Sequence, residues 1–374
     1  MHRCDGYAHL LKAIYNNHVL TEFFDEDNFM ASTMKAAIYA GAGDIRIEDY
    51  PMPDSPGMGE LLVRVKACGV CGSDVTDWYM TPRAPVVLGH EPAGDVVAVG
   101  EGVTQFKVGD RVALHHHVPC MVCDFCMHGH YTQCPTFKKT RLYPAGMAEY
   151  VRIPAEIVER DILRIPDGMP YEVAALVEPI ACCVRALDRA EIQQGDTVVI
   201  VGAGFNGIVM AMLAPMWGAN KVAILDRLPV RLERARSMGL KVFNVDDADL
   251  NEQIKQWTEG VGPHAVMVTA SNEKALNMAF DLCSPGGTLL LYAPTMPDFR
   301  WGLNTNRILF QEINVKGTYS AGPFDTRRTM AMLKEGLIDA NLLITHRFSI
   351  DEADKAWHLT KAAGDSLKVM VEFS

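Results

Sequence analysis

Short apolar runs cut by Gly and Pro turns dominate the chain from Met34 onward. "MKAAIYAGAGDIRIEDYPMPDSPGMGELLVRVKACGV" predicts a series of short strands. The texture continues through "VVLGHEPAGDVVAVGEGVTQFKVGDRVAL", where Gly94, Gly100, Gly102 and Gly109 punctuate Val-rich segments. Near residue 180 the pattern changes. "TVVIVGAGFNGIVMAMLAPMWGANKVAILD" reads as a buried strand, a glycine turn, a helix and a second strand. The alternation runs on through "RLPVRLERARSMGL", "KVFNVDD", "NEQIKQWTEG", "HAVMVTAS", "EKALNMAFDLCSPGG" and "TLLLYAP". Strands alternating with helices predict βαβ units and a parallel sheet. Pro215 falls inside the first of these helices and is expected to kink or end it. Beyond about Val315 come a helix over 324–336, another over 351–363 and a last strand, "LKVMVEF". A parallel α/β unit, 182–316, is therefore expected between two parts of a β-rich one, 34–181 and 317–374. Residues 1–33 break the β pattern, look partly helical and read as an N-terminal extension without a catalytic role.

The chain has 374 residues, which favours two domains, and 49% of them are apolar, enough for a packed core. The formal net charge is −11 and no basic run is present, which argues against a nucleic-acid or anionic-membrane partner. No stretch approaches a transmembrane helix, and the N-terminus carries no signal-peptide pattern. A cytoplasmic, reducing location is expected, with structural disulfides disfavoured.

Gly202, Gly204 and Gly207 form G-x-G-x-x-G after the strand "TVVIV" and at the start of a helix. That is the context a dinucleotide motif requires: a tight turn, close approach of pyrophosphate, and close helix–strand packing. Asp226 ends the next strand, where an acid accepts from the ribose hydroxyls and repels a 2′-phosphate, so NAD is expected over NADP. Arg227 and Arg231 lie nearby and weaken that preference; Asn206, within the motif, and Arg231 join the cofactor-binding candidates.

Ten cysteines are unevenly spread. "CMVCDFCMHGHYTQC" places Cys120, Cys123, Cys126 and Cys134 within fifteen residues. Four thiols so close match a closed tetrahedral zinc site, structural because no position is left for a substrate. Cys182, Cys183 and Cys283 read as small buried apolar residues. The adjacent histidines 115–117 point in different directions, cannot all chelate one ion and read as non-ligands. Trp78 and Tyr79 either line a substrate pocket or simply pack within the β-rich unit; Arg83 reads as a solvated turn residue. Cys71, His90, Glu91 and Glu178 are the right chemical types for an open zinc site, although spacing alone does not group them.

"GHEPAGDVVAVGEGV" fits the pattern G-H-E-x2-G-x5-G-x2-V, and "GVCGSD", the four-cysteine lobe, "VEPIACCVRAL" and "VGAGFNG" flank it in order. In this combination the sequence resembles the zinc-dependent medium-chain dehydrogenase/reductase (alcohol dehydrogenase) superfamily over about 34–374, and most of all its sorbitol (polyol) and threonine dehydrogenase branch. The resemblance implies a GroES-like catalytic domain with a structural-zinc lobe and a doubly wound Rossmann domain. It implies Cys71 and His90 as catalytic-zinc ligands, Glu91 as the third or exchanging with Glu178, and Ser73 as the first station of a proton relay. The His often found five residues after the zinc Cys is Thr76 here. The expected cofactors are one catalytic and one structural zinc and NAD, and the expected assembly is a homodimer or homotetramer. The activity implied is hydride transfer from a secondary alcohol, such as a polyol, sugar alcohol or 3-hydroxy amino acid, to NAD. Another alcohol, an aldehyde or a hydroxyacyl thioester is the alternative; a non-enzymatic relative fits poorly with intact Cys71, His90, Glu91, Glu178 and Asp226. His90 follows Cys71 by only nineteen positions, fewer than in typical sorbitol dehydrogenases, which points away from sorbitol itself.

Overall fold

A computed structural model describes residues 33–374; the expected N-terminal extension lies, but for Thr33, outside the described residues. Eight strands come first: β1 (Thr33–Gly41), β2 (Asp44–Pro51), β3 (Leu61–Val70), β4 (Val86–Val87), β5 (Glu91–Val99), β6 (Arg111–Leu114), β7 (Tyr150–Ile153) and β8 (Ile162–Arg164). Six follow: β9 (Thr197–Val201), β10 (Lys221–Asp226), β11 (Lys241–Asn244), β12 (Ala265–Val268), β13 (Thr288–Leu291) and β14 (Asn314–Gly317). The chain closes with β15 (Ile344–Ser349) and β16 (Lys368–Glu372).

The middle six strands form one parallel sheet in the order β11-β10-β9-β12-β13-β14. Numbered along the sheet this is 3-2-1-4-5-6, so the strand order reverses between β9 and β12, and a crevice opens there at their C-terminal ends. Every residue of β9 is buried, as a central parallel strand covered on both faces requires. The second large sheet runs β15-β16-β3-β5-β6-β8, with β7 also on β3. Its C-terminal strand β16 pairs antiparallel with β3, so the parallel unit is a contiguous insert between two parts of this sheet. A small sheet, β2-β1-β4, completes the molecule.

Helix α1 (Val177–Ala190) crosses from one sheet to the other. Its buried face carries Val177, Ile180, Val184 and Leu187. These pack in one apolar core with Ile200 and Ile208 of the insert and with Ala67, Ala93, Ala113 and Met370 of the antiparallel sheet. Helix α2 (Phe205–Leu213) follows the glycine turn and gives way to a 3-10 turn at Ala214–Trp217, with Pro215 in its opening positions. The proline ends the helix because it has no N–H to donate and its ring crowds the carbonyl four residues back. Helix α3 (Pro229–Ser237) follows β10, while α4 (Pro323–Lys334) and α5 (Ala353–Ala362) stand where the C-terminal periodicity predicts helices. Among the described residues no helix is long and apolar enough to cross a membrane.

Candidate active site

Cys71 sits in the turn after β3, and His90 and Glu91 sit where β5 begins. Because β3 and β5 pair with Gly69 opposite Glu91, residues some twenty positions apart meet. Their donor atoms, the Cys71 thiol, one His90 nitrogen and one Glu91 oxygen, lie within 4.8 Å of one another. Asp74 organises the turn: its Oδ2 accepts from the Cys71 amide at 3.0 Å and its Oδ1 lies 3.4 Å from His90 Nδ1. A carboxylate behind an imidazole orients the ring and raises its basicity, the usual outer support of a metal-bound histidine. Burial pulls the His90 pKa down, but Asp74 and Cys71 more than offset this and hold it well above its usual value. Trp357 of α5, almost fully buried, donates from Nε1 to the Asp74 carbonyl at 2.8 Å and pins the turn from behind.

Glu91 is fully buried and Lys368 of β16 reaches both its oxygens, at 2.7 and 2.8 Å. Burial pushes the Glu91 carboxyl up and the ammonium pulls it back; the two short contacts decide for an ion pair. Burial likewise lowers Lys368, yet Glu91 and then Cys71 carry its pKa above the ordinary lysine value. Only a glycine fits at position 69, where a Cβ would stand 1.9 Å from Glu91 Oε2.

Glu178, in the first turn of α1, is brought to a neighbouring point rather than to the Cys71 thiol: its carboxylate groups with His115 and His116. The His116 ring centroid is 4.9 Å from that of His90 and its Nδ1 is 3.9 Å from Glu178 Oε1. The triple histidine was expected to supply no ligands; in the fold two of its rings converge on one carboxylate. Cys182, expected to be simple core, is half-buried and directs its thiol to Glu178 Oε1 at 3.7 Å, whereas Cys183 and Cys283 are buried as expected. Ser73 is half-buried in the Cys71 turn, and the Thr76 hydroxyl is spent on the Gly72 carbonyl at 2.8 Å. Trp78 and Tyr79 lie edge-on to each other, and Arg83 stacks on Tyr79.

The crevice of the parallel sheet adjoins this cluster. Lys368 Nζ is 4.4 Å from the centre of the Phe205 ring, in the first turn of α2, and the Cys183 thiol reaches Asn206 Oδ1 at 3.6 Å. Gly202 has φ of +110°, a left-handed conformation that favours glycine. A Cβ on Gly207 would stand 1.8 Å from the Gly202 carbonyl, whereas one on Gly204 would meet only Arg231 Nη1 at 3.6 Å. The turn is thus packed at its third glycine and open at its second. No side chain caps α2, so its first amides face the crevice with the positive end of the helix dipole, as an anionic group requires. Asp226 is buried and accepts from the amides of Ala203, Arg227 and Leu228 at 2.7–2.9 Å. Three acceptor sites of the carboxylate are taken, and one of about four is left for a hydroxyl. Arg231 lies 3.8 Å from Asp226 and donates to the Gly364 carbonyl at 2.9 Å. The residues fit a dinucleotide.

The four-cysteine lobe forms its own cluster, with the thiols of Cys120, Cys123, Cys126 and Cys134 within 4.8 Å of one another and no disulfide among them. Burial raises the Cys134 thiol, but amides of Cys120 and Phe137 bring it down to about 6, close to the thiolate a metal needs. The donor chemistry fits zinc with every position filled by sulfur. A surface hollow between α3 and β11 contains none of these groups. Sequence reasoning missed Asp74, Lys368 and His116. Asp74 stands in "GVCGSD" and Lys368 is a lone cation in an apolar strand, both visible yet mute about partners.

Residues 57–167 match the alcohol dehydrogenase GroES-like domain and residues 207–335 the zinc-binding dehydrogenase domain. The chain is 34% identical to sorbitol dehydrogenase of Bacillus subtilis over 356 residues, covering 90% of this chain and 97% of that one. An alcohol dehydrogenase of Escherichia coli CFT073 solved with NADH superposes with a TM-score of 0.81 at 26% identity, covering 92% of this chain and all of the other. A zinc-binding dehydrogenase of Sinorhizobium meliloti 1021 solved with NADP superposes at 0.80 with 29% identity, over 91% of this chain and all of the other. With a GroES-like sheet carrying two metal-competent clusters and a Rossmann insert beside them, the chain belongs to the zinc-dependent alcohol dehydrogenases of the medium-chain superfamily, oxidoreductases that act on CH–OH groups with a nicotinamide dinucleotide.

Proposed function

We propose that the substrate is a secondary alcohol of the polyol, sugar-alcohol or 3-hydroxy amino acid class and that NAD is the preferred acceptor. The observation that carries this reading is the meeting of Cys71, His90 and Glu91 within 4.8 Å, beside the first turn of the glycine-motif helix. In this reading residues 34–181 and 317–374 hold metal and substrate, and 182–316 hold the dinucleotide. Cys71 and His90 bind the catalytic zinc, with Glu91 as third donor or exchanging with Glu178; Cys120, Cys123, Cys126 and Cys134 bind a structural zinc. When bound, the zinc supplies Lewis acidity at the alcohol oxygen and the nicotinamide accepts the hydride. Asp74 holds the His90 ring in register. Lys368 fixes the buried Glu91 carboxylate, so its charge is matched before any metal arrives. Ser73 Oγ, whose neighbour Thr76 is spent on the backbone, takes the alcohol proton and passes it to solvent or a ribose hydroxyl. Asp226 supports the NAD preference, and Arg227 and Arg231 are the groups that would receive a 2′-phosphate.

A homodimer or homotetramer is supported by the open edge of β14 and by Leu309 and Phe310 beside it, 69% and 81% exposed. A cytoplasmic location is supported by the unpaired state of every cysteine among the described residues. The test is a screen of polyols, threonine and simple alcohols against NAD and NADP at alkaline pH, read as reduced-cofactor absorbance. The proposal expects a vicinal polyol or hydroxy amino acid to be oxidised best, with NAD. Failure of every secondary alcohol with the zinc-loaded protein, or preference for NADP, overturns the corresponding part.

A further inference from the structure

Tyr319 follows the end of β14, where the parallel sheet opens onto the crevice, and its side chain crosses to the other unit. Its ring is 6.3 Å from that of buried Phe137, Lys138 Nζ lies 4.3 Å from its centre, and it is still 46% exposed. Burial raises the pKa of its hydroxyl; Tyr79 and Cys182 add to this and the charges of Arg141 and Arg83 oppose it, so groups from both walls stand around one tyrosine. Arg141 Nη1 donates to the Thr140 carbonyl at 2.6 Å and lies 3.1 Å from His117 Nδ1. From His117 the rings of His116 and His90 follow at 4.0 and 4.9 Å, so two imidazoles separate this guanidinium from His90. Arg83 reads from the sequence as a solvated turn residue. In the fold its guanidinium lies 3.7 Å from the centre of the Tyr79 ring and donates to the Tyr79 carbonyl, with its side chain still exposed. None of the three cations meets an acid. Among the described residues no carboxylate lies within 4.0 Å of Arg83, Lys138 or Arg141. Asp77, the acid nearest to Arg83 along the chain, is held by Lys361 at 2.7 Å. In a chain of net charge −11, three uncompensated cations at the mouth of one cleft reverse the sign locally. A cleft lined by one sign of charge concentrates ligands of the other.

We propose that Arg83, Lys138 and Arg141 form a rim that receives an oxyanion head of the substrate, a carboxylate or a phosphate, while the hydroxyl-bearing carbon sits at the Cys71–His90–Glu91 position. Guanidinium forks match the paired oxygens of either head, and an ammonium adds a point charge. The dinucleotide has its own anion donors in the glycine turn and the first amides of α2, which leaves the rim to the substrate. The substrate class is then a polyhydroxylated acid or a polyol phosphate rather than a neutral polyol. A 3-hydroxy amino acid fits less well, because its ammonium faces the same cations. This inference rests on the reading of the site as that of a secondary-alcohol dehydrogenase.

The test sets short-chain polyols against the aldonates and polyol phosphates of the same configuration. With full-length, zinc-loaded protein, kcat/KM with NAD is measured for each compound, and calorimetry reads its binding to the enzyme–NADH complex. Wild type is expected to favour a charged compound over its neutral partner by about 10-fold or more, as one charge-assisted hydrogen bond implies, and to lose part of that advantage at high salt. Arg141→Gln, Arg83→Gln and the double variant Lys138→Gln/Arg141→Gln should each lower the charged-to-neutral ratio, the double variant most, in binding as well as in kcat/KM. All three side chains are exposed, and melting temperatures verify that the variants fold. Whichever of the carboxylate and phosphate series leads identifies the head group. A ratio near one in wild type, or a ratio that the variants leave unchanged, overturns the rim while the alcohol dehydrogenase reading stands. Loss of NADH affinity in the variants assigns the cations to the cofactor and overturns it equally. Rim-dependent binding of the charged compounds without oxidation of any alcohol upholds the rim and overturns the activity reading instead.

Discussion

Removing the Lys368 ammonium tests how the site is held before any metal or substrate binds. Lys368 and Glu91 are both buried, 3% and 0% exposed, and meet through both carboxylate oxygens at 2.7 and 2.8 Å. Lys368→Met keeps the length and most of the packing of the side chain but leaves a carboxylate in a dry site. Breaking one side of a buried ion pair costs about 3–5 kcal/mol. At about 2–4 °C per kcal/mol for a lobe of this general size, the melting temperature should fall by roughly 10 °C. The double variant Lys368→Met/Glu91→Gln should recover at least about half of that loss, because the uncompensated charge is gone while the amide volume remains. The assay is urea and thermal unfolding of the protein before and after zinc loading, with zinc content measured in each variant. The pH dependence has a defined sign. The folded Lys368 pKa is raised above its unfolded value, so, wherever Glu91 is ionised, the ammonium's contribution is present below about pH 10 and is lost as pH rises through the folded value. Lys368→Met should therefore flatten the alkaline limb of the stability profile. If Lys368→Met melts within about 2 °C of wild type and keeps its zinc, the pair is not a support of the site and the reasoning fails.

Cys123→Ser should lose one zinc equivalent and lower the melting temperature together, since three thiolates no longer close the tetrahedron; metal analysis beside calorimetry checks it. Gly207→Ala should destabilise by about 1–3 kcal/mol or more, because its Cβ lands 1.8 Å from a backbone oxygen, whereas Gly204→Ala should fold normally and weaken dinucleotide binding. Urea midpoints and fluorescence titration with NADH separate the two. Asp226→Ala should narrow the preference for NAD over NADP, read as the ratio of kcat/KM values, by removing an acceptor and a repulsive charge. Cys71→Ala or His90→Ala should abolish turnover while NADH titration shows near-normal binding, because the glycine turn and Asp226 belong to the other sheet.

Much of the architecture was legible because its signals are local. The switch from glycine-punctuated β runs to strand–helix alternation reports two sheets, and G-x-G-x-x-G after "TVVIV" carries its own stereochemistry. Pro215 ends its helix by a rule that needs no tertiary context. Four cysteines within fifteen residues cluster because the chain between them is short. The cleft is different, since its members come from β3, β5, the segment after β6, α1 and β16. Chemical type and family resemblance nominated Cys71, His90, Glu91 and Glu178, but only β3–β5 pairing brings Glu91 opposite Gly69, and only β16 against β3 delivers Lys368. Three adjacent histidines looked unable to share an ion because side chains alternate along an extended chain. Past the end of β6 that alternation lapses, and His115 and His116 turn toward the same carboxylate. The sequence by itself determined which elements form and which atoms have metal and phosphate chemistry, since period and residue type act over a few residues. The tertiary structure decided which of those atoms share a point in space, because that depends on strand register and sheet order set by chain segments up to 298 residues apart.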